Sequence, residues 1–342
     1  MTSVVAVLGS GGVGKTTLSA AIAADAARNG RRVLVLTVDP ARRLAQALGV
    51  RLGNTPAAVA SCPGLDAAMI DASESWEAIV HSHADPATAE RLVANRFFRA
   101  VADRFPSGQA YAAAEEMTRH ADSGVWDLVV VDTPPSGGGI DVLASPRRIR
   151  ALVGGRALRW LTGPAIPGRR ALYTVTARPA LRLADAVVGG PLLEDVAEFL
   201  LDLRVTYDGI SRRSRHVEST FKTAAIVLVT TADPAPMRET SRYFAELPDW
   251  ASRPRAVVFN RALPEQWSTA GRGRGDALER NLERWGDEAH RQAEARGELS
   301  ALYGVDPVIV PWMAEAPSTP SGLADLAAAT GRLSAKELGF AQ

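Results

Sequence analysis

The sequence predicts an α/β fold: a mainly parallel sheet of about seven or eight strands flanked by helices, with a helical subdomain inserted on the strand-end face. Three observations predict it. Short apolar runs rich in β-branched residues recur along the chain. They are continuous rather than alternating, which marks strands buried on both faces. Segments rich in Ala, Leu, Arg and Glu, all good helix formers apart from their caps, separate those runs. Lastly, a glycine-rich stretch, Gly9-Ser10-Gly11-Gly12-Val13-Gly14-Lys15-Thr16-Thr17, follows the first run directly and opens a helical pattern at Leu18.

Taken in order, the predicted strands are Val4–Leu8, Val33–Val38, Ala67–Ile70, Leu128–Val131, Ala225–Thr230, Ala256–Phe259 and Val308–Val310. Two insertions interrupt them, helical in pattern, at residues 72–124 and 140–222. The second is far longer than a crossover between parallel strands requires. The whole of 1–342 reads as one domain carrying these insertions as a subdomain. The "GRGRG" stretch at 271–275 reads as a flexible loop, and the charged run from there to about 297 as a solvated surface helix.

Composition narrows the function classes. The apolar fraction is 46%, enough for a substantial core, and the formal net charge is +1, which gives no global electrostatic case for nucleic acid. The single cysteine, Cys62, excludes an internal disulfide framework and any multi-cysteine metal site, so no zinc is expected. His81 and His83 do not replace one, because positions two apart on a helix point in different directions. No apolar run approaches the roughly 20 residues needed to span a bilayer. A cytoplasmic protein without a secretion signal is the expectation, with peripheral association at a membrane as its extension.

Gly9-x4-Gly14-Lys15-Thr16 is a full phosphate-loop match with a strand before it and a helix after it, the context of a P-loop NTPase. Glycines let the backbone N–H groups of Gly11, Gly12, Val13, Gly14, Lys15, Thr16 and Thr17 form a nest around phosphates. The helix N-terminus adds partial positive charge. Lys15 is expected to reach the β- and γ-phosphates and the Thr16 hydroxyl to ligate magnesium. Asp39 ends the second strand, at the sheet edge that faces ligands in parallel sheets. A carboxylate there can orient an attacking water; the alternative, compatible with it, is a helix N-cap. Asp132 ends the run Leu128–Val131 and is placed to hold the same magnesium through water. The Pro134-Pro135-Ser136-Gly137-Gly138-Gly139 run behind it is a candidate switch loop.

Together "GGVGKTT", "TVDPA" and "VVVDTPPS" make the chain resemble the deviant-phosphate-loop ATPases, and within them the ArsA-like family of arsenical-pump and tail-anchored-protein-targeting ATPases. Later segments are similar too: "DPAPMRETSR" at 233–242, "VVFNR" at 257–261 and "VPWMAEAPSTPSG" at 310–322. The resemblance implies an acidic nucleotide contact at Asp233, an adenine contact at Asn260, and a loop closing over the base from Pro311. It further implies binding of ATP and ADP with magnesium, and hydrolysis with Asp39 and Lys15 as catalytic residues.

Departures from the pattern limit what carries over. The region after Asn260 has no Cys-x-x-Cys, which excludes a zinc-clasped dimer, and one cysteine cannot supply the three thiols of an arsenite site. Only five methionines occur, with none between Met117 and Met237, so a client groove would be built from Leu, Val and Ala. Ser10 stands where the family carries a lysine thought to reach across a dimer to the partner's phosphates. Either a homodimer compensates with Arg42 or Arg43, or the chain pairs with a lysine-bearing paralogous subunit.

The expected function is therefore a Mg-dependent ATPase that couples ATP binding and hydrolysis to dimer opening and closing around a hydrophobic or membrane-associated protein. The alternative is an ATP-binding regulatory subunit with little hydrolysis of its own; a DNA- or division-site-positioning ATPase is a third. One local asymmetry stands out. Val142 to Leu183 holds nine arginines (147, 148, 150, 156, 159, 169, 170, 178 and 182) and no acidic residue. It reads either as a solvated helical surface paired with acidic residues elsewhere, or as a face for an acidic membrane or an acidic protein.

Overall fold

The computed structural model describes residues 2–38, 43–104, 106–134, 138–154, 192–246, 252–269, 277–304, 306–331, 333–334 and 336–340. Its strands are β1 (Ser3–Gly9), β2 (Val33–Thr37), β3 (Ala57–Ala58), β4 (Leu65–Met69), β5 (Leu128–Asp132), β6 (Ala225–Thr230), β7 (Ala256–Ala262) and β8 (Val308–Pro311). They form one sheet in the order β3-β4-β2-β5-β1-β6-β7-β8. All pairings are parallel except β3 with β4. This is the α/β class that the continuous apolar runs predict. β2, β5 and β6 are buried at every position, as strands covered on both faces must be. β3, absent from the sequence reading, is two residues long with Ala58 exposed, too short to leave a pattern.

The described chain divides into two compact units: Met1–Ile70 with Met117–Asp141 and Thr220–Gln342, and Asp71–Glu116 with Val142–Ser219. The first holds the sheet. Helix α1 (Lys15–Arg28) lies against it with eleven buried residues, mostly alanines. Small side chains let it approach both the sheet and α11 (Pro320–Ala329), to which Arg28 is tied by Asp325 at 2.5 Å and the Ala324 carbonyl at 3.0 Å. Val5, Val7, Val35, Val130, Val227 and Val258 belong to the same core cluster as the α1 alanines.

The second unit is helical. Helices α3 (Ala72–His83), α4 (Pro86–Ala94) and α5 (Arg96–Arg104) lie wholly within it. Three longer helices run into it: α6 (Pro106–Asp122), α7 (Gly138–Gly154) and α8 (Leu192–Thr223). Asp71 caps α3 by accepting from Ser73 N and Glu74 N, and Asp85 caps α4 by accepting from Thr88 N. Trp76, Ile79, Leu92, Tyr111 and Ile210 are among its core residues, and the Trp76 indole N–H donates to the Gly108 carbonyl at 3.0 Å. Gly209 permits a close helix approach, since a Cβ there would stand 2.7 Å from the His83 ring. Ion pairs lace the helices: Arg91 with Asp202, Arg213 with Glu115, and both Arg147 and Arg150 with Glu218.

In the sheet unit, α9 (Pro234–Glu246) follows β6 and α10 (Ala277–Tyr303) precedes β8. The loop expected at 271–275 lies outside the described residues. No helix is long and apolar enough to cross a membrane among the described residues.

Candidate functional site

The ends of β1, β2 and β5 are in register. Val7 pairs with Asp132, and so does Thr37. Thr133 fastens the corner, its hydroxyl donating to the Val7 carbonyl at 2.8 Å. The glycine-rich loop springs from β1 between these strands and β6, where Gly9 is in register with Val229. A Cβ at Gly9 would collide with the Val229 carbonyl oxygen, so only glycine fits that exit. At the other end Gly14 starts α1 at φ 98°, and a Cβ there would collide with Asn260 Nδ2. Sequential change of strand order around β1 creates the crevice in which parallel sheets of this kind bind ligands.

The loop's chemistry suits an anion. The first turn of α1 has no acidic residue and no side-chain cap, which leaves its N–H groups pointing out of the helix end. Gly11 and Gly12 are exposed, with open space where a Gly12 Cβ would be. Lys15 is only 6% exposed, and its Nζ donates to the carbonyls of Gly9 and Ser10, each at 2.8 Å. A lysine folded back over its own loop holds its charge at the centre of the nest.

Next to it the Thr16 hydroxyl donates to Asp132 Oδ2 at 2.7 Å, and the Thr37 hydroxyl donates to the same oxygen at 3.0 Å. Asp132 is 1% exposed. A hydroxyl and a carboxylate, both hard oxygen donors, fixed together beside a phosphate nest form a donor set that fits magnesium. Thr37 carries no distinguishing pattern in the sequence; its place at the end of β2, level with Asp132, follows from sheet register alone. Asp39 lies outside the described residues, as does Arg42. Arg43 is exposed at the start of α2 (Arg43–Leu48).

The three residues expected near the base follow, or lie at, the C-terminal ends of neighbouring strands. Asp233 comes after β6, exposed, accepting from the Thr231 hydroxyl at 2.8 Å. Asn260 is in β7, and its Nδ2 donates to the Val13 carbonyl of the loop at 2.7 Å. Pro311 closes β8, paired with Ala262. Asn260 thus braces the glycine-rich loop directly, a contact that the sequence does not reveal. Among the described residues no cluster of three or more His, Cys, Asp or Glu could hold an ion.

Comparison with known proteins bears on this site. The profile of the anion-transporting ATPase family matches residues 2–279. The chain is similar to Uncharacterized protein SCO2128 of Streptomyces coelicolor, 36% identical over 176 residues, 51% of this chain and 43% of that protein. It is similar to ATPase get3 of Aspergillus terreus, 26% identical over 260 residues, covering 75% of this chain and 72% of that protein. ATPase GET3 of Mycosarcoma maydis is 25% identical over 261 residues, 75% of this chain and 71% of that protein. The match thus spans less than half the length of the first relative and about seven-tenths of the other two.

Proposed function

Because this chain belongs to the anion-transporting ATPase family, we propose that it is a magnesium-dependent ATPase whose nucleotide cycle opens and closes a dimer around a hydrophobic or membrane-associated protein. Hydrolysis of ATP is the activity of the family. One observation carries the reading for this chain: the 2.7 Å hydrogen bond from the Thr16 hydroxyl to the buried Asp132 carboxylate, set beside Lys15 in the nest. The loop N–H groups from Gly11 to Thr17 and Lys15 hold the phosphates. Thr16 and Asp132 hold the cation, the latter through water. When bound there, magnesium would supply charge neutralisation at the phosphates. Thr37 fixes the Asp132 carboxylate in place, and Asp39 orients the attacking water. Asp233, Asn260 and Pro311 flank the base.

The dimer and its client rest on the resemblance to the targeting ATPases rather than on any surface of this chain. Ser10 favours a second reading. Its side chain is short and uncharged, and its backbone carbonyl is engaged by Lys15. A subunit so built gives no cation to a partner's phosphates. It would bind ATP and turn it over slowly, and a lysine-bearing paralogue would complete the shared site.

Turnover of the purified chain with ATP and magnesium tests both. Lys15→Ala should abolish hydrolysis and weaken nucleotide binding, whereas Asp39→Asn should keep binding and lose turnover, because it keeps shape and removes charge. Normal hydrolysis by Asp39→Asn would remove that residue from the mechanism. Undiminished ATP binding by Lys15→Ala would reject the phosphate site itself.

A further inference from the structure

Among the described residues, Arg261 is the one residue other than glycine with a positive φ, at 61°. A left-handed conformation is strained for a residue with a side chain and persists only where its surroundings enforce it. The enforcement is visible in β7. Its register with β8 shifts between Phe259 and Ala262, a bulge of the kind that re-aims side chains beside active sites. Phe259 and Ala262 are buried, whereas Asn260 and Arg261 both stand off the core, side by side. The bend is fastened to the glycine-rich loop. Arg261 N donates to Asn260 Oδ1 at 2.9 Å, and Asn260 Nδ2 donates to the Val13 carbonyl at 2.7 Å. One side chain therefore separates Arg261 from the loop.

The arginine held in this position is exposed, and among the described residues its guanidinium has no hydrogen bond or ion pair. A bulge that served only to end the strand would be better made with glycine or asparagine, which enter this conformation with little strain. The loop itself, residues 9–17, contains a single cation, Lys15.

We infer that Arg261 is a further binding residue of the nucleotide site, holding a positive charge beside the loop for the polyphosphate of the bound nucleotide. The inference rests on the ATP-binding reading above and adds to it a residue that the phosphate-loop pattern does not contain. The strain of the bulge is retained because it keeps the guanidinium next to the anion. Charge, rather than shape, is what the position contributes.

ATP affinity of the full chain with magnesium tests this, measured at low and high salt for the wild type, R261G, R261N, R261K and, as an exposed control on the approach to β7, R253A. R261G and R261N should each bind ATP about 10-fold more weakly at low salt, with the deficit shrinking at high salt as screening weakens the attraction that Arg261 gives the wild type. R261K should stay within about 3-fold of the wild type, and R253A should match it. R261G should melt at or above the wild-type temperature, since glycine removes the strain. Wild-type affinity in both R261G and R261N overturns the inference, as does a loss in R261K equal to that in R261N. A wild-type chain that binds no ATP at all would instead reject the ATPase reading on which the inference rests.

Discussion

At position 10 a serine occupies the phosphate loop, and the loop's charge is left to Lys15, whose ammonium spans the Gly9 and Ser10 carbonyls at 2.8 Å. If a lysine at this position works across a dimer, its contribution is that of an arginine finger, worth on the order of 10³–10⁵ in rate where such contacts have been measured. The expected outcome is that Ser10→Lys raises turnover of the isolated chain at least about 10-fold, read by phosphate release at saturating ATP. An unchanged rate would show that no deficit exists and would remove the case for a complementary subunit. Residue chemistry of this kind is legible in the sequence, because the glycine, lysine and threonine spacing admits few other readings. Thr37 and Asn260 are the counter-examples. Nothing in their neighbourhoods announces that one donates to Asp132 and the other to Val13.

At the scale of the element, α7 shows how a charge pattern is spent. The arginines of 142–183 read as a possible docking face, yet Arg147 and Arg150 both close on Glu218 of α8, at 2.8 and 2.9 Å. Glu218 is buried, and the Arg147 hydrogen bond, followed by that of Arg150, pulls its carboxyl from an ordinary value of 4.5 down to about 2. A depressed carboxyl stabilises the fold above the unfolded value and loses that contribution as the pH falls toward the folded one. The clamp should therefore hold fully above about pH 4.5 and weaken between there and about pH 2. Glu218→Gln should lower stability at pH 7 by about 1.5–3 kcal/mol, the worth of a hydrogen bond to a charged group, since both arginines are partly exposed and lose only their carboxylate. It should also flatten the acid limb of a melting-temperature profile between those values. An acid limb as steep as that of the wild type would show that the clamp contributes nothing. The pairing has no local signal in the sequence, because the partners lie on helices far apart along the chain, joined only by packing.

For the whole molecule, the question is what the remaining arginines face. Residues 155–183 lie outside the described residues, and they carry six of the nine arginines counted above, at 156, 159, 169, 170, 178 and 182. Each basic residue near an anionic bilayer is worth about 1 kcal/mol, so several give reversible docking. Co-sedimentation with anionic vesicles should be strong at low salt and lost at high salt, with neutral vesicles recovering little. Replacing Arg169, Arg170 and Arg178 with Gln should halve the bound fraction or more. Equal recovery with neutral and anionic vesicles at both salt concentrations would exclude a lipid-facing role and leave an acidic protein as the alternative.

The sequence by itself determined the α/β class, the phosphate loop and the carboxylate at the end of β5. Each is written in local chemistry: continuous apolar runs favour burial on both faces, and a glycine-rich turn between a strand and a helix presents a row of backbone N–H groups. Only the tertiary structure decided the strand order, the two-residue antiparallel β3, the Thr37–Asp132 contact and the strained bulge at Arg261. Register between strands depends on which runs become neighbours, and that is settled by packing over the whole sheet rather than by any one segment. The same holds for Arg147 and Arg150: their charge is a property of the sequence, but its destination is a property of the fold.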